Sequence, residues 1–326
     1  MEQKAFIKKL LNLSANILLV AFLLVSVNTG CRKDEMSEEE IRENITRQLT
    51  GAISSDSLES IVSWMQDMGT RFALAGNHRD IAIRIRNRFT GMGYNDVRLD
   101  SFQINRVYQG TTYQQWQYNV IASIKGSINP DSICIAGAHY DNNLRTGNPF
   151  EITPGANDNA SGTSAILEMA RVMKKYKYTP ANTIEFIAFG AEELGLYGSL
   201  AYVSDAALNS RKIKLMLNND MIAFQPGSNS DEWIVNIIDY DNSHALRTMA
   251  EKMCSRYSVL KYKNDNAYFK QSDSYPFFLN GYKAIFFFSN IIDNNYHTIN
   301  DIAENCNFEY CREIVKINCA LLVENN

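Results

Sequence analysis

Between residues 41 and 92 the apolar positions recur every three to four residues: Leu58, Ile61, Trp64 and Met65, then Ile81, Ile85 and Phe89. That spacing predicts amphipathic helices. Gly91 and Gly93 stop the last of them, and Val97, Leu99 and Phe102 open extended structure. Two apolar strand runs follow, at 118–124 and 133–138. Strand and helix then alternate. Ile166, Leu167, Met169, Ala170 and Met173 form a helical stripe with Arg171 and Lys174 turned outward. Further strands are expected at 183–189, 213–217, 233–238 and 284–288, and further helices at 243–254, 275–279 and 310–323. Such alternation predicts a single α/β sandwich domain with a mostly parallel, mixed central sheet.

Composition narrows the class. The chain has 326 residues, 45% of them hydrophobic and 21% charged, enough to bury a large core. The formal net charge is −4, and no basic run carries interleaved aromatics, so no nucleic-acid partner is expected. No repeat and no long Pro- or Ser-rich linker divides the chain. Lys4, Lys8 and Lys9 precede an apolar run at 17–27 that closes on Asn28-Thr29-Gly30-Cys31. That run is too short to span a membrane and right for an export signal. The small residues before Cys31 resemble a bacterial lipobox, although Asn28 stands where Leu is usual. Residues 1–31 are therefore expected to be a lipoprotein-type signal, 32–44 a charged tether and 45–326 the domain. The expected location is the cell envelope, held by lipid on Cys31, with no other membrane contact.

Five cysteines lie beyond Cys31, an odd number, and none forms a CxxC pair, so a thiolate zinc site is not expected. Cys134 reads as a small core residue. Cys311 and Cys319 are too far apart on one helix to bridge, and a Cys306–Cys311 pair stays open.

The chemistry gathers where strands end. Asp158 lies in Gly155-Ala-Asn-Asp-Asn-Ala-Ser-Gly, just before a helix, where the helix dipole keeps a carboxylate ionised. His139 follows one strand, and Asp141 two residues on is able to accept its second N–H. Glu192 and Glu193 follow the next strand. One can ligate a metal while its neighbour handles the proton of a bound water, since adjacent side chains point apart. Asp220 and His297 each follow a later strand. Singly, each is more often a turn residue or a helix cap. Together they fit the rule that ligands collect beyond the carboxyl ends of the strands of an open α/β sheet. Two imidazoles and three carboxylates, with Glu192 beside them, suit two borderline divalent ions sharing a bridging carboxylate.

In order, His139-Tyr-Asp141, Gly155–Gly162, Glu192-Glu193-Leu-Gly, Asn219-Asp220-Met, Ser272-Asp273 and His297-Thr-Ile-Asn-Asp301 resemble the motifs of the M28 family of di-zinc peptidases. An upstream Gly69-Thr-Arg-Phe72 fits as well. The resemblance implies zinc (cobalt or manganese as alternatives), with His139 and Asp220 on one ion, Glu193 and His297 on the other, and Asp158 bridging them. It implies Glu192 as general base, Asp141 behind His139, and a peptide substrate cut as by an aminopeptidase. Tyr296 could steady an oxyanion. Ser274 stands where the family often has His, so the part played by Asp273 is open. Three rival readings are a one-zinc glutaminyl cyclase, a binding module without metal, and a carboxypeptidase or dipeptidase. The tyrosine-rich stretches 113–118 and 257–269 are candidate pocket linings. Oligomeric state is not legible.

Overall fold

A computed structural model describes residues 36–225 and 227–326. The expected signal, Cys31 and the first residues of the tether lie outside them. Contacts divide the chain into two units, Met1–Glu43 and Asn44–Asn326. Helix α1, Glu38–Gly51, begins inside the stretch expected to be a tether. Its start carries a reciprocal cap: Ser37 N–H donates to the Glu40 carboxylate (2.8 Å), and Glu40 N–H donates to Ser37 Oγ (3.2 Å).

The unit Asn44–Asn326 continues with α2 (Ser55–Gln66), α3 (His78–Gly91), β1 (Val97–Tyr108), β2 (Thr111–Ile124) and β3 (Asn129–His139). It goes on through α4 (Gly162–Lys175), β4 (Asn182–Phe189), α5 (Tyr197–Leu208), β5 (Lys212–Asn219) and β6 (Ile234–Ile238). It closes with α6 (His244–Tyr257), β7 (Lys261–Lys263), α7 (Ser274–Leu279), β8 (Ala284–Ser289) and α8 (Phe308–Glu324). The strands form one sheet in the order β1-β2-β4-β3-β5-β8-β6-β7. The central run β4-β3-β5-β8 is parallel, as is β6 with β7. The pairs β1–β2, β2–β4 and β6–β8 are antiparallel. The mostly parallel, mixed sheet expected of the sequence is present.

Period-two alternation sends successive strand residues to opposite layers. Cys134, Ala136 and Ala138 of β3 pack with α2, α3, α4, α6 and α8, whereas Ile133 and Ile135 face α5 and α7. All eight residues of β4 are buried, so this strand is central to the core. Each Ile or Phe so enclosed contributes roughly 1.5–3 kcal/mol.

One expectation is corrected. Residues 113–118 are not a pocket-lining loop. They belong to β2, which starts at Thr111 and pairs with β1 from Tyr108↔Thr111 to Val97↔Ala122. Gln109 and Gly110 turn this hairpin with φ of 47° and 81°, the two left-handed residues a tight hairpin turn takes. The outer half of β2 alternates between exposed and half-buried side chains, so it lacks an apolar signature.

Candidate metal centre

Four parallel neighbours deliver the chemistry to one edge of the sheet. β3 ends on His139, and β5 ends on Asn219, immediately before Asp220. β4 ends three residues before Glu192, and β8 ends eight residues before His297. α4 starts at Gly162 on this edge, preceded by the buried segment Ala156–Ser161, which leaves helical geometry at Asp158 and contains a cis Asp158–Asn159 peptide.

The six side chains converge. His139 Nε2 lies 3.3 Å from Asp158 Oδ1 and 3.3 Å from Asp220 Oδ1. His297 Nε2 lies 3.0 Å from Asp158 Oδ2 and 2.8 Å from Glu193 Oε1. The two imidazoles therefore approach opposite oxygens of one carboxylate. Three close donor sets result: His139–Asp158–Asp220 and Asp158–Glu193–His297, which share Asp158, and His139–Glu192–Glu193. Glu192 stands 4.0 Å from His139 Nε2 and belongs only to the third set, outside the two that share Asp158.

Asp141 acts differently from expectation. The hydrogen-bond partner of His139 Nδ1 is the Asp141 backbone carbonyl (3.1 Å), while its carboxylate is 3.7 Å away. That carboxylate accepts the N–H groups of Glu192 (3.0 Å) and Glu193 (3.2 Å), which hold it off the ring. Asp141 thus ties the histidine strand to the glutamate turn, and Nδ1 donation to a carbonyl leaves Nε2 free as a ligand.

Electrostatics describe a place that lacks positive charge. Burial opposes ionisation of Glu192, Glu193 and Asp273, and neighbouring carboxylates add to it. Glu193 and Asp273 rise to about 7 and Glu192 rises well above its usual value. Burial also disfavours charged imidazoles, but Asp220, Glu192 and Asp158 raise His139 well above its usual value. Asp158 and Glu193 raise His297 to about 10. Asp158 itself is drawn low by both histidines despite burial. Five carboxyl groups and two imidazoles thus crowd one place, which favours a bound cation. Oxygen and imidazole donors in two sets with one common carboxylate fit a pair of borderline divalent ions.

A second ring of residues fixes these loops. Asp301 accepts the N–H groups of Asn157 (2.7 Å) and Asp158 (3.0 Å), and Ser272 Oγ donates to Asp220 Oδ2 (2.7 Å). Thr163 Oγ1 donates to the His139 carbonyl (2.8 Å). Arg71, 1% exposed, donates to the carbonyls of Met65, Tyr140, Pro154 and Gly155. Gly162 packs against the Asn219 carbonyl with no room for a Cβ. Ala191, Met221 and His297, each at the centre, take positive φ (57°, 52° and 58°), a costly conformation that clusters at functional sites. Sequence reasoning names Arg71 and Asp301 only as parts of motifs, and it has no signal for their bonding to backbone.

A small cleft of about 60 Å³ over the centre is lined on its apolar side by Met221, Tyr268, Phe286, Phe288, Ile292 and Tyr296. Tyr268 bears out part of the second tyrosine-rich stretch as a lining. Tyr296 stacks on His297 with ring centroids 3.8 Å apart. Asp273 is fully buried. Ser274 bonds Tyr240 rather than the centre (2.8 Å).

The family model for peptidase family M28 matches residues 119–322, a span that holds every ligand described above. The chain belongs to peptidase family M28. A probable leucine aminopeptidase of Trichophyton verrucosum is 31% identical to this M28 chain over 213 residues, covering 62% of this chain and 54% of that protein. A probable zinc metalloprotease of Pyricularia oryzae is 39% identical over 116 residues, covering 35% and 22%. The chain spans about half the length of the curated relatives it matches. Among solved structures, the LapA aminopeptidase of Legionella pneumophila superposes with a TM-score of 0.73 at 24% identity, covering 91% of this chain and 76% of that one. A zinc aminopeptidase of Bacillus subtilis gives 0.68 at 20%, covering 84% and 95%. A glutaminyl cyclase of Bacteroides thetaiotaomicron gives 0.67 at 16%, covering 84% and 99%. At such identities these structures establish the M28 chain's fold, which peptidase and cyclase share.

Proposed function

We propose that this M28 chain is a zinc-dependent exopeptidase that removes N-terminal residues from peptides. The observation that carries it is the pair of ligand sets hinged on Asp158. His139, Asp158 and Asp220 would hold one zinc, and Asp158, Glu193 and His297 the other. When bound, such ions acidify a water and polarise a carbonyl. Glu192, half-buried beside the two sets that share Asp158, is suited to take a proton from water and return it to the departing amine. Asp141 holds the Glu192 and Glu193 amides, so base and ligand keep their places. Tyr296, on the cleft wall, is in position to donate to a developing oxyanion. The apolar wall suits a large aliphatic or aromatic first residue. A one-zinc cyclase is disfavoured because Asp220 completes a second ligand set. Residues 1–31 support export and anchoring through lipid on Cys31.

The test combines metal counting with product analysis. Purified protein is expected to hold two zinc ions per chain and to cleave an aminoacyl reporter but not its N-acetylated form. Glu192→Gln is expected to keep both ions while turnover falls at least about 100-fold. One ion per chain, or cyclisation of N-terminal glutamine, would reject the reading.

A further inference from the structure

The C-terminal end of α4 carries a second feature that the metal centre does not use. Trp64 of α2, Arg84 and Arg88 of α3, Met92 and Arg171 of α4 line a shallow hollow with no carboxylate in its wall. The Arg88 guanidinium lies over the Trp64 ring, 4.5 Å from its centroid. Lys174 and Lys175, both exposed, extend the basic face along α4, and Lys174 Nζ sits 4.9 Å from the Tyr94 ring. Arg171 is paired with Glu168 (2.7 Å), but Arg84, Arg88, Lys174 and Lys175 have no ion pair among the described residues. Such a cluster is unusual on a chain whose net charge is −4.

Part of this charge has a local explanation. Arg88 and Lys174–Lys175 lie in the last turns of α3 and α4, where cations complement the helix dipole. The dipole does not explain Arg84, a full turn earlier, nor why two helix ends meet around an indole and a thioether where Glu168, paired with Arg171, offsets only one of the cations. Aromatic and aliphatic groups ringed by long basic side chains match a lipid headgroup layer. There the stems lie in the apolar boundary and the charges meet phosphates.

We propose that this face docks on an anionic phospholipid surface. The inference does not depend on the peptidase reading. It is consistent with the anchor proposed at Cys31. α4 rises about 14 Å from Gly162, beside the loop of Asp158, to Arg171 at the hollow. Docking would therefore leave the cleft open to solvent while the far end of the helix rests on lipid.

The test uses the full chain with vesicles of one part phosphatidylglycerol to two parts phosphatidylcholine, and with pure phosphatidylcholine. The quantity read is the ratio of the two partition coefficients. Each cation near an anionic surface strengthens binding roughly fivefold, so Arg84→Gln with Lys175→Gln is expected to cut the ratio roughly 25-fold at low salt. A control pair that removes the same charge elsewhere, Lys212→Gln with Lys261→Gln, is expected to leave it nearly unchanged. All four side chains are exposed, and equal thermal midpoints would show that the folds are intact. Amide-exchange protection over 84–93 and 171–177 on anionic vesicles alone would support docking. An equal fall in both pairs, no anionic preference in the unaltered chain, or full release by inorganic phosphate at constant ionic strength would overturn it.

Discussion

Arg71→Met should be among the most damaging single changes away from the metal ligands. The side chain is enclosed, and its Nε, Nη1 and Nη2 donate to Tyr140 O (2.8 Å), Met65 O (3.1 Å), Pro154 O (2.9 Å) and Gly155 O (2.7 Å). Burial is the largest influence on its basicity and brings it down to about 10, with Asp301, Asp141 and Asp158 pulling the other way. Methionine matches the length but offers no donor. Four carbonyls would then be stranded in the interior at roughly 1–3 kcal/mol each, giving a loss of at least about 4 kcal/mol. Replacing a buried ion pair by apolar residues is often neutral, because both partners are removed. Here the carbonyls stay, so that escape is closed. Against a typical total stability of about 5–15 kcal/mol, such a loss is severe. Urea unfolding of metal-free protein measures it. At a slope near 3 kcal/mol/M, the midpoint should fall by more than about 1 M. Arg71→Lys, with the charge and fewer donors, should lie between the two. A loss for Arg71→Met below about 1 kcal/mol would refute the clamp.

Other substitutions test other parts. Asp220→Asn and Glu193→Gln should each cost one bound zinc, whereas Asp158→Asn should weaken both; elemental analysis after dialysis against limiting zinc reads the difference, and loss of a single ion from Asp158→Asn would contradict a bridging role. Gly162→Ala drives a methyl into the Asn219 carbonyl and should displace Asp220, lowering zinc affinity more than about tenfold; competition with a chromophoric chelator measures it, and unchanged affinity would show that the contact relaxes freely. Burial alone would raise the Asp239 carboxyl, but bonds from His244, Arg247 and Asn264 hold it below its usual value. Its stabilisation is then complete above the unfolded pKa of about 3.9 and fades as pH falls through the folded value. Asp239→Asn should therefore be less stable at neutral pH and less sensitive to acid below about pH 4; denaturant midpoints across pH that fall in parallel for both proteins would refute this.

The parts of the molecule that sequence reveals are those with a local cause. β3, β4, β5 and β8 read as strands because their inner residues are uniformly apolar. His139, Glu192, Glu193, Asp220 and His297 stand out because each follows such a run. The outer hairpin hides because Gln114, Gln115 and Gln117 alternate with aromatics rather than aliphatics. β7 hides because three residues, Lys-Tyr-Lys, carry no period. Arg71 and Asp301 hide for another reason: their partners are backbone groups, and a carbonyl or amide leaves no mark in a residue pattern. Asp141 shows the same limit. Its proximity to His139 is visible in the chain, but its preference for two amides some fifty residues away is not.

The sheet keeps its chemistry on one rim, and the turn before β8 lies on the other. The turn 280–283 feeds the first residue of β8, and six residues of strand, about 20 Å, separate it from the far end. Gly281 there takes φ 82° with open space around it. A fluorescent or affinity insert spliced at Gly281 would lie a strand's length from the metal centre, so immobilised or single-molecule assays could hold the chain with its cleft facing outward.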